Sequence, residues 1–249
     1  MAIFLLKKSY QASNQKEIGF KDLWGSHGVF TTIRLVGKPG KLVLFKSHFN
    51  SLVKSLKRYK IYTKNIEKNI KLLIHSNINK NISYDHLLRI ALTKKIISIS
   101  IRKRLKSKKN FELKIINYKR IDPLTKNLYY KKILKELNKN DPSKIDIALV
   151  NKGKILETCT SNILFFKDKE YFSPKNDCYI GNTIKYLKGK IKISFIDIYY
   201  KDLKKFKEIM LIGSGKGVTP VKYIKVIDWK SKNNFGYKKI NKYLNFKSL

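Results

Sequence analysis

The amino-acid sequence predicts an α+β protein in two parts. Three observations carry that expectation: paired β-branched stretches near the start, a run of helical periodicity after them, and a polar, proline-bearing segment after which short strands resume. From Gly28, GVFTTIRLV is β-branched and apolar, and KLVLF repeats that character beyond the turn at Lys38-Pro39-Gly40, which predicts an antiparallel hairpin. Between His48 and Leu73, apolar residues recur every three or four positions (Leu52, Leu56, Tyr59; Ile66, Ile70, Leu73), the period of amphipathic helices. HLLRIALT and KIISISI then read as strands. INYKRIDPLT interrupts both periods, so residues 1–115 read as a small N-terminal part, 116–125 as a linker, and 126–249 as a larger C-terminal part. In the latter, NLYYKKILKELNK reads as a helix and IDIALV with KILE as a hairpin around Asn151-Lys152-Gly153. NILFF and EYFSP read as strands, IKYLKGK as a short helix, and EIMLIG as a buried strand entering SGKG.

With 249 residues and 43% hydrophobic content, the chain can bury a substantial core. Its formal net charge of +39 invites a nucleic-acid reading. The distribution argues against one: lysines are scattered, arginines are few, and no recognition-helix, RNA-sheet or Cys/His finger pattern occurs. Two cysteines, Cys159 and Cys178, suggest neither a disulfide framework nor a metal site and fit a reducing cytoplasm. The opening MAIFLLKK is shorter than a signal-peptide core, and no later run approaches membrane-spanning length, so a soluble protein is expected.

Small hydroxyl and glycine residues gather in three places, ETCTSN, GNT and GSGKG. A helix starting after GNT points free amides and the positive end of its dipole at its N-terminus, with the Thr183 hydroxyl beside them. SGKG after a buried strand offers a second concave set of amides, with Ser214. Together they could grip a phosphate; separately, each reads equally as a helix cap or a turn. A nucleoside-triphosphate loop is excluded because Gly217, not Ser or Thr, follows Lys216, and the dinucleotide fingerprint fails on glycine spacing. Glu157, inside apolar KILE, requires a cationic partner if it is buried.

The ordered series LETCTSNILFF, YFSP, YIGNT and EIMLIGSGKGVTPV, preceded by GVFTTIRL and HFNSLVKSL, resembles the class IV aminotransferases, the fold-type IV enzymes that use pyridoxal phosphate. The resemblance runs from about residue 19 to about residue 225. It implies a small N-terminal α/β sandwich, a larger C-terminal pseudo-barrel domain, a homodimer and a small-molecule amino substrate. It also implies that Lys126, 31 positions before Glu157, opens a helix, carries pyridoxal 5'-phosphate on its amine and then moves protons. Lys119 is the alternative. Glu157 would face the pyridine nitrogen, Tyr130 would flank the ring, and Asn182, Thr183, Ser214 and Gly215 would bind the phosphate. Thr32 and Arg34, on one side of a strand, would meet substrate carboxylates.

One position departs from the family pattern. Ser51 stands where an arginine is expected three residues after His48, a loss worth about 1.5–3 kcal/mol, which Lys54 one turn away could offset as a point charge. Among family activities, 4-amino-4-deoxychorismate lyase, which releases pyruvate to form 4-aminobenzoate for folate synthesis, is favoured by GVFTTIR and the cysteine after Glu157. A branched-chain or D-amino-acid aminotransferase, or a cofactor-free descendant of such an enzyme, are the alternatives.

Overall fold

Residues 3–245 are described by a computed structural model, and they divide into two units: residues 3–104 with 125–131, and residues 105–124 with 132–245. The first unit is built on six antiparallel strands. They are β1 (Phe4–Gln11), β2 (Glu17–Ile18), β3 (Val29–Gly37), β4 (Lys41–Leu42), β5 (Tyr84–Leu92) and β6 (Ile96–Lys103), in the order β2-β1-β6-β5-β3-β4. Period-two alternation sends Ile33, Leu35, Leu88, Ile90, Ile97 and Ile99 to one face. There they pack on Leu52 and Leu56 of helix α1 (Phe45–Arg58) and Ile70 and Leu73 of α2 (Ile66–Asn77). The predicted hairpin forms, but its second strand ends at Leu42. Leu44 adopts a left-handed conformation and α1 begins at Phe45, so the rest of KLVLF leads into the helix instead.

The opposite face of this sheet carries polar and cationic side chains. Thr32 pairs with Arg89, Arg34 with Leu87, Arg89 with Ser100, and Leu87 with Arg102, so Thr32, Arg34, Arg89, Ser100 and Arg102 share that face. The segment 19–24 is tied to it: Ser98 Oγ donates to the Lys21 carbonyl at 2.7 Å, and Arg89 holds Asp22 through its side chain and backbone.

The second unit has two sheets. One combines β7 (Glu112–Asn117), β8 (Ile145–Asn151) and β9 (Lys154–Thr158) with the short strands β13 (Ile198–Tyr199), β16 (Tyr223–Ile224) and β17 (Trp229–Lys230). The other combines β10 (Asn162–Lys167), β11 (Glu170–Pro174), β12 (Ser194–Ile196), β14 (Glu208–Gly213) and β15 (Gly217–Pro220). Phe111, Leu113, Ala148 and Ile155 meet Ile163, Phe165, Ile209 and Leu211 in a shared core. The remaining α-helices are α3 (Lys131–Asn138), α4 (Asn182–Lys188) and α5 (Phe235–Tyr243). No helix among the described residues is long and apolar enough to cross a membrane.

Two segments lie differently from the sequence reading. Residues 105–115 fall in the second unit, because β7 pairs in parallel with β8. The helix expected from Asn127 starts at Lys131; residues 126–128 instead run extended beside the start of β3. Phe30 N donates to the Lys126 carbonyl at 2.9 Å, Leu128 N to the Gly28 carbonyl at 2.9 Å, and Gly25 N to the Leu128 carbonyl at 2.7 Å. Backbone pairing with β3 therefore overrides the helical propensity of the segment. Glycine at position 28 permits this approach: a Cβ there would lie 2.2 Å from the Leu92 carbonyl oxygen and 2.6 Å from Leu128 Cδ1.

Gly28→Ala should therefore cost about 1–3 kcal/mol through overpacking. The melting temperature should fall by roughly 2–12 °C for a chain of this length. Thermal denaturation checks this, and an unchanged transition would contradict the close approach.

Candidate functional site

Within the second unit, the end of β9 delivers Glu157 into the interior. Its Oε1 accepts a hydrogen bond from Arg120 Nε at 2.7 Å, and the two side chains retain only 7% and 2% of their exposure. Arg120 also donates to the Pro123 carbonyl at 2.7 Å. The cationic partner that Glu157 required is thus Arg120. Cys159 and Cys178 lie buried in the same region. Burial first, and the Glu157 carboxylate among lesser causes, pushes the Cys178 thiol up to about 12 and raises Cys159 as well. Burial and this upward shift disfavour the reactive thiolate form of both.

Asn162, at the far end of ETCTSN, joins that turn to GNT. Its amide nitrogen donates to the Tyr179 carbonyl at 2.6 Å, and its Oδ1 accepts from Gly181 N at 2.9 Å. Gly181 precedes α4, whose first turn buries Asn182 and Thr183. At seven residues α4 contributes a weak dipole, so hydroxyls and loop amides carry the polar character here. Thr183 Oγ1 lies 3.5 Å from Ser214 Oγ, in the tight loop of Ser214, Gly215 and Lys216 that joins β14 to β15. Gly213 pairs with Gly217 at the base of that loop. A Cβ on Gly213 would meet Ser161 Oγ at 3.2 Å, so ETCTSN and GSGKG are in contact too. The three clusters singled out in the sequence converge on one place in this unit.

Lys126, Tyr130, Thr32 and Arg34 belong to the first unit. Lys126 is half-buried, with Nζ 5.2 Å from the centre of the Phe30 ring. Tyr130 meets Phe30 edge-on at 5.4 Å and stacks on Trp24 at 5.5 Å. Lys126 and Tyr130 thus reach the same aromatic ring from a non-helical segment, four residues apart. Lys119 Nζ, by contrast, is paired with Asp177 at 2.8 Å on the surface. His48 bonds Thr31 through Nδ1 at 3.0 Å, tying α1 to the helix side of β3, and Lys54 is exposed on α1.

Arg34 keeps 6% of its exposure and lies 3.7 Å from Asp85, which Arg104 also engages at 2.9 Å. Burial pushes the guanidinium pKa values of Arg34, Arg89 and Arg102 down, but they stay charged at neutral pH. Arg89 stacks 3.7 Å from the Trp24 ring. The Nε atoms of Arg34 and Arg89 are buried without a hydrogen-bond partner. This cationic patch has more guanidinium groups than carboxylates facing it. Of these arginines only Arg34 is legible as a site residue in the sequence, since the strand register alone puts Arg89 and Arg102 on its face.

The sequence matches the amino-transferase class IV family over residues 28–224. No curated protein sequence matches. The branched-chain aminotransferase of Thermoproteus uzoniensis superposes with a TM-score of 0.78 at 15% identity, covering 98% of this chain and 94% of that one. A Brucella abortus aminotransferase bound to PLP gives 0.75 at 16%, covering all of both chains. A candidate 4-amino-4-deoxychorismate lyase from Legionella pneumophila gives 0.70 at 18%, covering 88% and 90%. These structures share the fold. The chain belongs to the class IV aminotransferase family, whose enzymes depend on pyridoxal phosphate. Its own residues fit such a cofactor: Thr183 and Ser214 hydroxyls converge beside glycines 181 and 213, and a buried carboxylate stands at the end of the neighbouring turn.

Removing Arg120 takes away the guanidinium that faces the buried Glu157 carboxylate. Arg120→Met should cost about 3–5 kcal/mol, and adding Glu157→Gln should restore a large share. Urea denaturation of both variants checks this; a double variant as unstable as Arg120→Met would contradict the pairing.

Proposed function

We propose that Lys126, Glu157, Thr183 and Ser214 serve one pyridoxal phosphate, and that the reaction releases pyruvate from 4-amino-4-deoxychorismate to leave 4-aminobenzoate. The cofactor, when bound, supplies an electron sink for the carbon that bears the substrate amine. Lys126 would hold it, then take the proton from that carbon and return a proton as the product leaves. Glu157, oriented by Arg120, would face the ring nitrogen and favour its protonated form. Tyr130 would flank the ring, while the Thr183 and Ser214 hydroxyls, with the Asn182 and Gly215 amides, would receive the phosphate.

The observation that carries the choice of substrate is the cationic face of the first sheet. Arg34, with its buried unpartnered Nε, and Thr32 suit a substrate bearing two carboxylates, which aminodeoxychorismate has and a branched-chain amino acid lacks. Amino transfer is the second reading, favoured by the branched-chain aminotransferases among the structural neighbours. A cytoplasmic homodimer is expected with either activity.

Borohydride reduction in the presence of pyridoxal phosphate, followed by peptide mass spectrometry, should find the cofactor on Lys126; modification of Lys119 would refute the assignment. Wild-type enzyme should release pyruvate from aminodeoxychorismate, and Lys126→Ala should lower that rate by roughly 10²–10⁴-fold. Amino transfer without pyruvate release would favour the second reading.

A further inference from the structure

Lys216 lies inside the Gly-rich loop next to Ser214, and a lysine in that position suggests a direct phosphate ligand. Its contacts point elsewhere. The ammonium lies 3.7 Å from Asp146 Oδ2, 3.4 Å from the Pro142 carbonyl and 4.5 Å from the centre of the Phe111 ring. The Lys216 side chain keeps 11% of its exposure and the Asp146 side chain 1%, so the pair is withdrawn from water. The same carboxylate oxygen accepts hydrogen bonds from Thr158 Oγ1 at 2.9 Å and Thr160 Oγ1 at 2.5 Å. Asp146 Oδ1 accepts from Ile147 N at 2.8 Å.

Asp146 sits on β8, Thr158 ends β9, Thr160 belongs to ETCTSN, and Lys216 belongs to the β14–β15 loop. One buried carboxylate therefore joins the rigid sheet to two of the three clusters that meet near Ser214. A buried acid held this way has little freedom to move, since each of its partners would lose a charge-assisted contact. We propose that Asp146 is a positioning residue: it tethers Lys216 and thereby fixes the Ser214–Gly217 loop amides and the Ser214 hydroxyl for an anionic group. Lys216 acts as the tether's other end and makes no contact with the anion. The inference rests on the assignment of Ser214 and its neighbours as the phosphate site.

The sign of the effect separates the tether from a direct role. If Lys216 met the phosphate, Asp146→Asn would free its charge and tighten binding. The tether predicts the reverse: Asp146→Asn, Lys216→Met and Thr160→Val each weaken pyridoxal phosphate, by roughly 5–20-fold for the first two, because loop order must then be gained on binding. Affinity for pyridoxal, which lacks the phosphate, should be unchanged. Lys216→Arg, retaining the charge, should recover most of the loss.

Hydrogen exchange on the ligand-free protein gives an independent readout. The amides of residues 214–217 should exchange faster in Asp146→Asn and Lys216→Met than in wild type. Unchanged exchange, or tighter phosphate binding by Asp146→Asn, would overturn the tether. Should Asp146→Asn fail to fold, Lys216→Met and the exposed-site variant Thr160→Val decide by the same two readouts. A wild-type protein that binds pyridoxal as well as pyridoxal phosphate would overturn the phosphate assignment itself, while the exchange result would still judge whether Asp146 orders the loop.

Discussion

The buried pair of Arg120 and Glu157 is the constraint on which the second unit's arrangement turns. A carboxylate out of reach of water needs a cation held at close range, and Arg120 Nε at 2.7 Å meets that need. The pairing fixes the end of β9 and the chain at 120–123 together, since the same guanidinium also bonds the Pro123 carbonyl. From there the order is inherited along the sequence. Five residues past Glu157, Asn162 bonds both Tyr179 and Gly181, which sets where α4 begins and so where Thr183 stands opposite Ser214.

The same economy marks the other buried acids. Glu208 receives Gly236 N at 2.8 Å and Tyr237 N at 2.9 Å, capping the start of α5. Asp146 receives two threonine hydroxyls and pairs with Lys216, and Glu112 pairs with Lys225 at 3.2 Å. With only 17 acidic residues against 56 lysines and arginines, the acids that are buried have defined structural work. Many of the lysines lie on the surface, where their charge is hydrated and contributes little to specific contacts. In the first unit the balance is reversed at one place: arginines from β3, β5 and β6 crowd one face of the sheet, and burial makes them strong points of attraction for an anion.

Much of this was legible in the sequence because it depends on local pattern. Period-two stretches such as GVFTTIRLV and HLLRIALT became the strands they suggested, and the three-to-four spacing at Leu52, Leu56, Ile66, Ile70 and Leu73 became α1 and α2. ETCTSN, GNT and GSGKG stood out by composition. What the sequence did not disclose depends on long-range pairing. Helical propensity in NLYYKKIL gave way to backbone bonds with β3, more than ninety residues earlier, and left Lys126 in extended chain. Arg89 and Arg102 join Arg34 only through strand register. Asp146 gains its partners only when β9 and the β14–β15 loop bring Thr158, Thr160 and Lys216 onto it.

Lys126 and the Glu157–Thr183–Ser214 group are proposed to serve one and the same cofactor molecule. A crystal structure grown with pyridoxal phosphate tests it most directly. The expected result is continuous electron density from Lys126 Nζ to the cofactor, the ring nitrogen beside Glu157, and the phosphate within hydrogen-bond distance of Thr183 and Ser214. Density joined to a different lysine, or a phosphate held away from those two hydroxyls, would contradict it.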